Sequence, residues 1–125
     1  MWSWREAVEV EAWMRLAKSE VMIANKLYSY ELPYLPEPCV YLKTINRDAY
    51  PDFLILNPLT MEEIIWEHFG MMGDVEYARA ACRKIQIYQD NGYILGKNFI
   101  ATFESEGAPL TLGQIDHCIK NYLLK

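Results

Sequence analysis

The order of patterned segments predicts an α/β fold, a three-layer sandwich in which a central mixed sheet carries helices on both faces and the elements run αβββαβα. Three observations carry this expectation. Residues 6–30 and 74–91 repeat apolar side chains at spacings of three and four, the period of a helix. Between them lie two short apolar runs joined by Asn57-Pro58-Leu59-Thr60, the pattern of a buried hairpin. One of those runs, Phe53-Leu54-Ile55-Leu56, is apolar without alternation, as expected of a strand covered on both faces. A chain of 125 residues that is 52% hydrophobic is long enough for one core and too short for two ordinary domains. Residues 1–125 therefore read as a single domain.

In the first helix, Val10, Trp13, Met14, Ala17, Val21, Ala24 and Leu27 or Tyr28 form the stripe expected to face the core. Ser19 is a candidate N-cap for a second helix running from Glu20, with a break at Lys18-Ser19. Residues 1–17 would then be a helical extension, either of this domain or from the end of a preceding one. Trp2, Trp4 and Trp13 crowd this end, where they either cover the core or meet that preceding domain. Pro33, Pro36 and Pro38 forbid helix and give an extended connection into Cys39-Val40-Tyr41-Leu42, expected as an edge strand. Strands over 50–56 and 64–69 follow. The second helix, 74–91, has Val75, Ala78, Ala81, Cys82, Ile85 and Tyr88 or Gln89 as its apolar or small positions, Asp74 as N-cap and Gly92 as terminator. A strand over 98–103, a loop from Glu104 to Pro109 and a helix over 111–124 complete the order.

No apolar run approaches the roughly 20 residues of a membrane-spanning helix. The start lacks a basic stretch leading into an uninterrupted apolar one, so it does not resemble a signal peptide, and a cytoplasmic setting is the expectation. Cys39, Cys82 and Cys118 are odd in number and far apart, which argues against a disulfide framework or a zinc site and predicts three reduced, buried thiols. The net charge of −5 is not the footprint of a strong phosphate binder, so any affinity for DNA is expected to draw on another domain or subunit.

Two acids interrupt the hairpin where apolar residues are expected: Asp52 in Tyr50-Pro51-Asp52-Phe53 and Glu67 in Ile64-Ile65-Trp66-Glu67-His68. A hairpin closing symmetrically about Leu59-Thr60 sets them opposite one another, with Cβ atoms about 5 Å apart. Two ionised carboxylates that close repel, so the arrangement needs a bound cation, a shared proton or heavy solvation. The plain alternative is a pair of strand-end acids turned to water. A hard divalent ion such as Mg2+ or Mn2+ relieves the repulsion, and at a phosphodiester it would offset charge on phosphorus and activate an attacking water.

The run Tyr50-Pro51-Asp52-Phe53 followed by Ile65-Trp66-Glu67-His68-Phe69-Gly70-Met71-Met72 resembles a branch of the PD-(D/E)XK, restriction-endonuclease-like nuclease superfamily. The segment Lys18-Ser19-Glu20-Val21 is similar to that branch's first helix, and Glu76-Tyr77 through Lys84, Tyr88 and Asn91-Gly92 to its second. The resemblance implies that Asp52 and Glu67 bind the metal and that Glu20 supports them. Taken from the residues alone, Glu20 is equally an N-terminal helix carboxylate. The superfamily's lysine normally lies two residues after the second acid, where this chain has Phe69. Lys84, on the following helix at a spacing of four from Tyr88, is the implied substitute, and Asn91 continues that face.

His68 should point to the opposite sheet face from Glu67 and read as a satisfied core histidine, and His117 as a surface one. Gly70-Met71-Met72-Gly73 reads as a turn, lacking the lysine and spacing of a phosphate loop. Tyr28, Tyr30, Tyr34, Tyr41, Tyr77, Tyr88 and Tyr93 could stack on bases, although core or rim packing is their ordinary role. The expected function is a Mg2+- or Mn2+-dependent DNA nuclease. The alternative is a catalytically inactive nucleic-acid-binding or interaction module of the same fold, and either could be part of a larger helicase or recombination protein. A homodimer would follow if both strands are cut.

Overall fold

The computed structural model describes residues 3–125; the side chains at positions 5, 7–13, 15 and 16 lie outside the description. The first helix, α1 (Trp4–Ser29), opens with a capping box in which Glu6 N–H donates to Ser3 Oγ at 3.2 Å and Ser3 N–H to Glu6 Oε2 at 2.9 Å. It runs without interruption through Lys18 and Ser19, so no second helix begins at Glu20. Ser19 is buried and its hydroxyl donates to the Glu104 carboxylate instead of capping. Glu20 is accordingly a mid-helix residue, and its macrodipole explanation lapses.

The stripe that α1 buries is Ser19, Ile23 and Leu27, whereas Met14, Val21 and Tyr28 from the expected stripe are exposed. Two stripes of comparable apolarity compete on this helix, and contact with Phe53, Ile55 and Trp66 of the sheet selects the one that includes a serine with a buried acceptor. Trp4 is 85% exposed. The expectations for Val10, Trp2 and Trp13 fall outside the described residues.

The sheet edge is β1 (Tyr34–Pro36), not Cys39–Leu42. It pairs antiparallel with β4 (Phe53–Leu56), Tyr34 opposite Ile55 and Pro36 opposite Phe53. Proline lacks a donor and is tolerated on an edge strand, so the prolines that suggested a mere connection are compatible with this edge. The expected edge segment forms β2 (Val40–Leu42), which pairs with β3 (Arg47–Ala49) in a separate two-stranded sheet.

Next come β5 (Glu63–Phe69), α2 (Val75–Asp90) and β6 (Phe99–Phe103). The main sheet has the order β1-β4-β5-β6, antiparallel except for the parallel pair β5–β6 that α2 connects. Asp74 caps α2 by accepting from Tyr77 N–H at 3.0 Å, and Gly92, at φ +91°, follows its end. The last helix, α3 (Leu112–Cys118), has a Thr111–Gln114 capping box and widens into a π-helical turn over Ile119–Leu123.

Alternate residues of β5 serve two cores. Ile64 and Trp66 pack with Ile23 and Leu27 of α1, Ile115 of α3 and Ile119 of the π turn, whereas Ile65 packs with Tyr88 of α2, Val40, Leu42 and Phe99. The result is a mixed α/β fold with helices over both faces of a mixed sheet. Among the described residues no helix is long and apolar enough to cross a membrane. All three cysteines are free, but Cys39 and Cys82 are exposed and Cys118 only half-buried, against the expectation of buried thiols.

Candidate functional site

The β4–β5 ladder places Phe53 opposite Trp66, the expected register, and Asp52 and Glu67 are the residues that adjoin this last pair. Glu67 is only 4% exposed, pointing towards α2 near the end of β5. Two residues one helical turn apart on α2 reach it: the Lys84 Nζ lies 3.0 Å from Glu67 Oε2, and the Tyr88 hydroxyl donates to the same oxygen at 3.0 Å. Burial pushes the Glu67 carboxyl up, Lys84 counteracts this, and the Asp52 carboxylate adds to the rise.

Asp52 lies immediately before β4, half-buried, and its Oδ2 accepts the His68 backbone N–H at 2.6 Å. Glu20 reaches it from α1. Burial, the charge of Asp52 and a hydrogen bond shared with it push the Glu20 carboxyl up to about 7, with Glu37 and Glu67 adding smaller repulsions. Four elements thus bring Glu20, Asp52, Glu67 and Lys84 together. Asn91 does not join them; its amide bonds Thr44 N–H at 3.1 Å and Thr44 Oγ1 at 2.7 Å, tying the end of α2 to the β2–β3 hairpin.

Tyr77, which the sequence offers only as part of the second-helix resemblance and as a base-stacking candidate, is a neighbour of the site. Its hydroxyl accepts Gly70 N–H at 3.1 Å, and burial together with Asp52, Glu67 and Glu20 raises it. The signal was its spacing of seven from Lys84, two turns along the same helix face. Phe69, where the resemblance would expect a lysine, is buried and stacks on Phe103 with ring centroids 5.5 Å apart.

No protein-family model, curated protein or solved structure matches the chain.

Among the described residues, no group of three or more His, Cys, Asp and Glu stands ready to hold a metal ion. The donor chemistry nevertheless suits a hard divalent cation: carboxylate oxygens only, with two of the three carboxyls raised in part by mutual repulsion that a cation would relieve. His68 turns away from the acids, as expected, its Nδ1 2.8 Å from Thr102 Oγ1 and its Nε2 2.8 Å from Glu104 Oε1. His117 is exposed. Gly70 to Gly73 is a turn in which Met72 N–H donates to Glu104 O at 2.9 Å and Asp74 N–H to Met71 O at 3.0 Å.

Proposed function

We propose that this chain is a Mg2+- or Mn2+-dependent deoxyribonuclease with a restriction-endonuclease-like fold of the PD-(D/E)XK kind. The observation that carries the reading is the placement of Lys84 on buried Glu67, beside Asp52 and Glu20, which supplies a lysine from α2 where the strand position holds Phe69. The antiparallel run β1-β4-β5 with β6 added in parallel through α2 supports the fold assignment. Asp52 and Glu67 would hold the ion, with Glu20 in support. When bound, the ion would neutralise charge developing at phosphorus.

The protein's own residues do the rest. Lys84, which pairs with Glu67 in the free protein, would pair with a non-bridging phosphate oxygen of bound DNA. Water would attack phosphorus and give up a proton to solvent, the bond to the leaving oxygen would break, and the leaving oxygen would take up a proton from solvent. With a net charge of −5, DNA affinity would draw on a second copy of the chain or on an attached helicase or recombination domain.

The test is cleavage of supercoiled plasmid and of single-stranded DNA with either ion. Asp52→Ala and Lys84→Ala should each lose roughly a hundredfold or more. Full activity in Asp52→Ala would refute the site, and full activity in Lys84→Ala alone would refute the lysine assignment. A second reading, an inactive DNA-binding or interaction module, is favoured by the ion pair that already occupies both Lys84 and Glu67. Binding without cleavage under every metal condition would select it.

A further inference from the structure

One carboxylate outside the acidic site touches both of its sides. Glu104 directly follows β6, and its side chain is 14% exposed. Its Oε1 accepts from the Ser19 hydroxyl and lies 2.8 Å from His68 Nε2, and its Oε2 accepts Leu110 N–H at 2.8 Å. Its backbone is held equally: Glu104 N–H donates to Phe69 O at 2.9 Å and Glu104 O accepts Met72 N–H at 2.9 Å. Burial opposes its charge, yet hydrogen bonds from Ser19, Leu110 N–H and His68 together hold the carboxyl below its usual range.

The chain continues behind His68. Trp66 Nε1–H donates to Thr102 Oγ1 at 3.1 Å, and Thr102 Oγ1 lies 2.8 Å from His68 Nδ1. Each proton has one acceptor if the Thr102 hydroxyl donates to Nδ1 and His68 carries its proton on Nε2, facing Glu104. Among the described residues, no buried side-chain nitrogen or oxygen in the molecule lacks a partner.

The two residues that Glu104 grips are the immediate chain neighbours of the acids. Ser19 precedes Glu20 on α1. His68 follows Glu67 on β5, and its backbone N–H is the one that Asp52 accepts at 2.6 Å. Helices move over sheets by sliding, and apolar contacts alone resist a slide of an ångström weakly compared with a directional, charged hydrogen bond.

We propose that Glu104 is the positioning residue of the acidic site, a carboxylate that through Ser19 and His68 fixes how far Glu20 on α1 lies from Asp52 and Glu67 on the sheet. It touches neither substrate nor metal. The inference deepens the nuclease reading and rests on it for its meaning, though its physical content can be measured without metal.

The experiment uses the full chain with Glu104→Gln, Ser19→Ala and the conservative Ser19→Thr, with Leu27→Ala as a control that weakens the same helix's packing elsewhere. Amide hydrogen exchange is followed without metal at His68, bonded to Asp52, and at Ile65, bonded to Asn98 O at 3.0 Å on the same strand. Glu104→Gln and Ser19→Ala should speed exchange at His68 roughly tenfold more than at Ile65, Ser19→Thr should restore the wild-type pattern, and Leu27→Ala should speed both alike. Mn2+ affinity should fall roughly tenfold in Glu104→Gln and Ser19→Ala and recover in Ser19→Thr.

Equal acceleration at His68 and Ile65 in the Ser19 and Glu104 variants would overturn the proposal, leaving Glu104 a purely stabilising residue. If Glu104→Gln does not fold, the Ser19 pair decides alone. Wild-type protein that binds no Mn2+ would defeat the nuclease reading, and the exchange comparison would still decide the positioning.

Discussion

Replacing Glu20 with glutamine should abolish a pH-dependent weakness of the fold. The Glu20 carboxyl is raised from 4.5 to about 7, first by burial and then by Asp52. A group whose folded proton affinity exceeds its unfolded one binds more protons in the native state, so stability falls as pH rises between those two values. At about 1.4 kcal/mol for each tenfold change in affinity, the full difference is about 3 kcal/mol. Glu20 is only half-buried, and solvent screening reduces this to about 1–2 kcal/mol. Urea unfolding without divalent ions should therefore find the wild type about 1–2 kcal/mol weaker at about pH 8 than at about pH 5, on account of this residue. Glu20→Gln, which stays neutral and keeps a donor towards Asp52, should lose that difference. Glu67 is raised as well and weakens the fold in the same direction in both proteins, so the difference between wild type and variant reads Glu20; Glu104 and Asp116 are lowered, so their losses fall at acidic pH. Millimolar Mg2+ should restore wild-type stability at the alkaline end and do less for the variant. An unchanged pH dependence in Glu20→Gln would refute the crowding argument.

Lys84→Met removes the cation 3.0 Å from Glu67. Two unit charges at that distance attract by about 5 kcal/mol at an effective dielectric of about 20, but Lys84 is 44% exposed, and a net loss of about 1–2 kcal/mol is expected. Thermal melts should show the loss at alkaline pH and a smaller loss as the pH falls, because Glu67, raised by burial and raised further by the change, takes up a proton more readily. Tyr88→Phe deletes the other hydrogen bond to Glu67 without opening a cavity and should cost about 1–2 kcal/mol in urea unfolding. Asp74→Ala removes the acceptor for Tyr77 N–H at the start of α2 and should cost about 1 kcal/mol by the same measurement, leaving Mn2+ affinity unchanged.

What was legible in the chain was whatever depends on neighbours close in sequence. The symmetric closure about Leu59-Thr60 led to a ladder in which Phe53 faces Trp66, because a short hairpin leaves little freedom of register. Asp74 and Gly92 bound α2 as expected, since caps are local chemistry. The errors came where tertiary contacts choose between local options. Ser19 has the chemistry of an N-cap, and only the arrival of Glu104, far along the chain, makes it a buried donor inside a continuous helix. The exposed Val21 and the buried Ile23 are near equals in apolarity, and the sheet decided between them. Proline at β1 could be an edge strand only once β4 was there to pair with it.

The acidic site divides along the same line. Asp52 and Glu67 could be paired because hairpin register is a short-range rule, and helix periodicity sets Lys84 and Tyr88 one turn apart, where both reach a single Glu67 oxygen. Glu20 and Lys84 needed resemblance, since nothing local distinguishes them from other charged residues on their helices. Glu104 had no signal: it follows a strand in a polar loop, and its importance comes from donors on α1, β5 and the segment before α3. Residues that hold a site together are chosen by packing partners distant in sequence, whereas residues that furnish its chemistry often sit at regular positions on strands and helices. Register and periodicity therefore bring out neighbours such as Asp52 and Glu67 before the groups that hold them, and those groups become visible only when the sheet and helices are assembled.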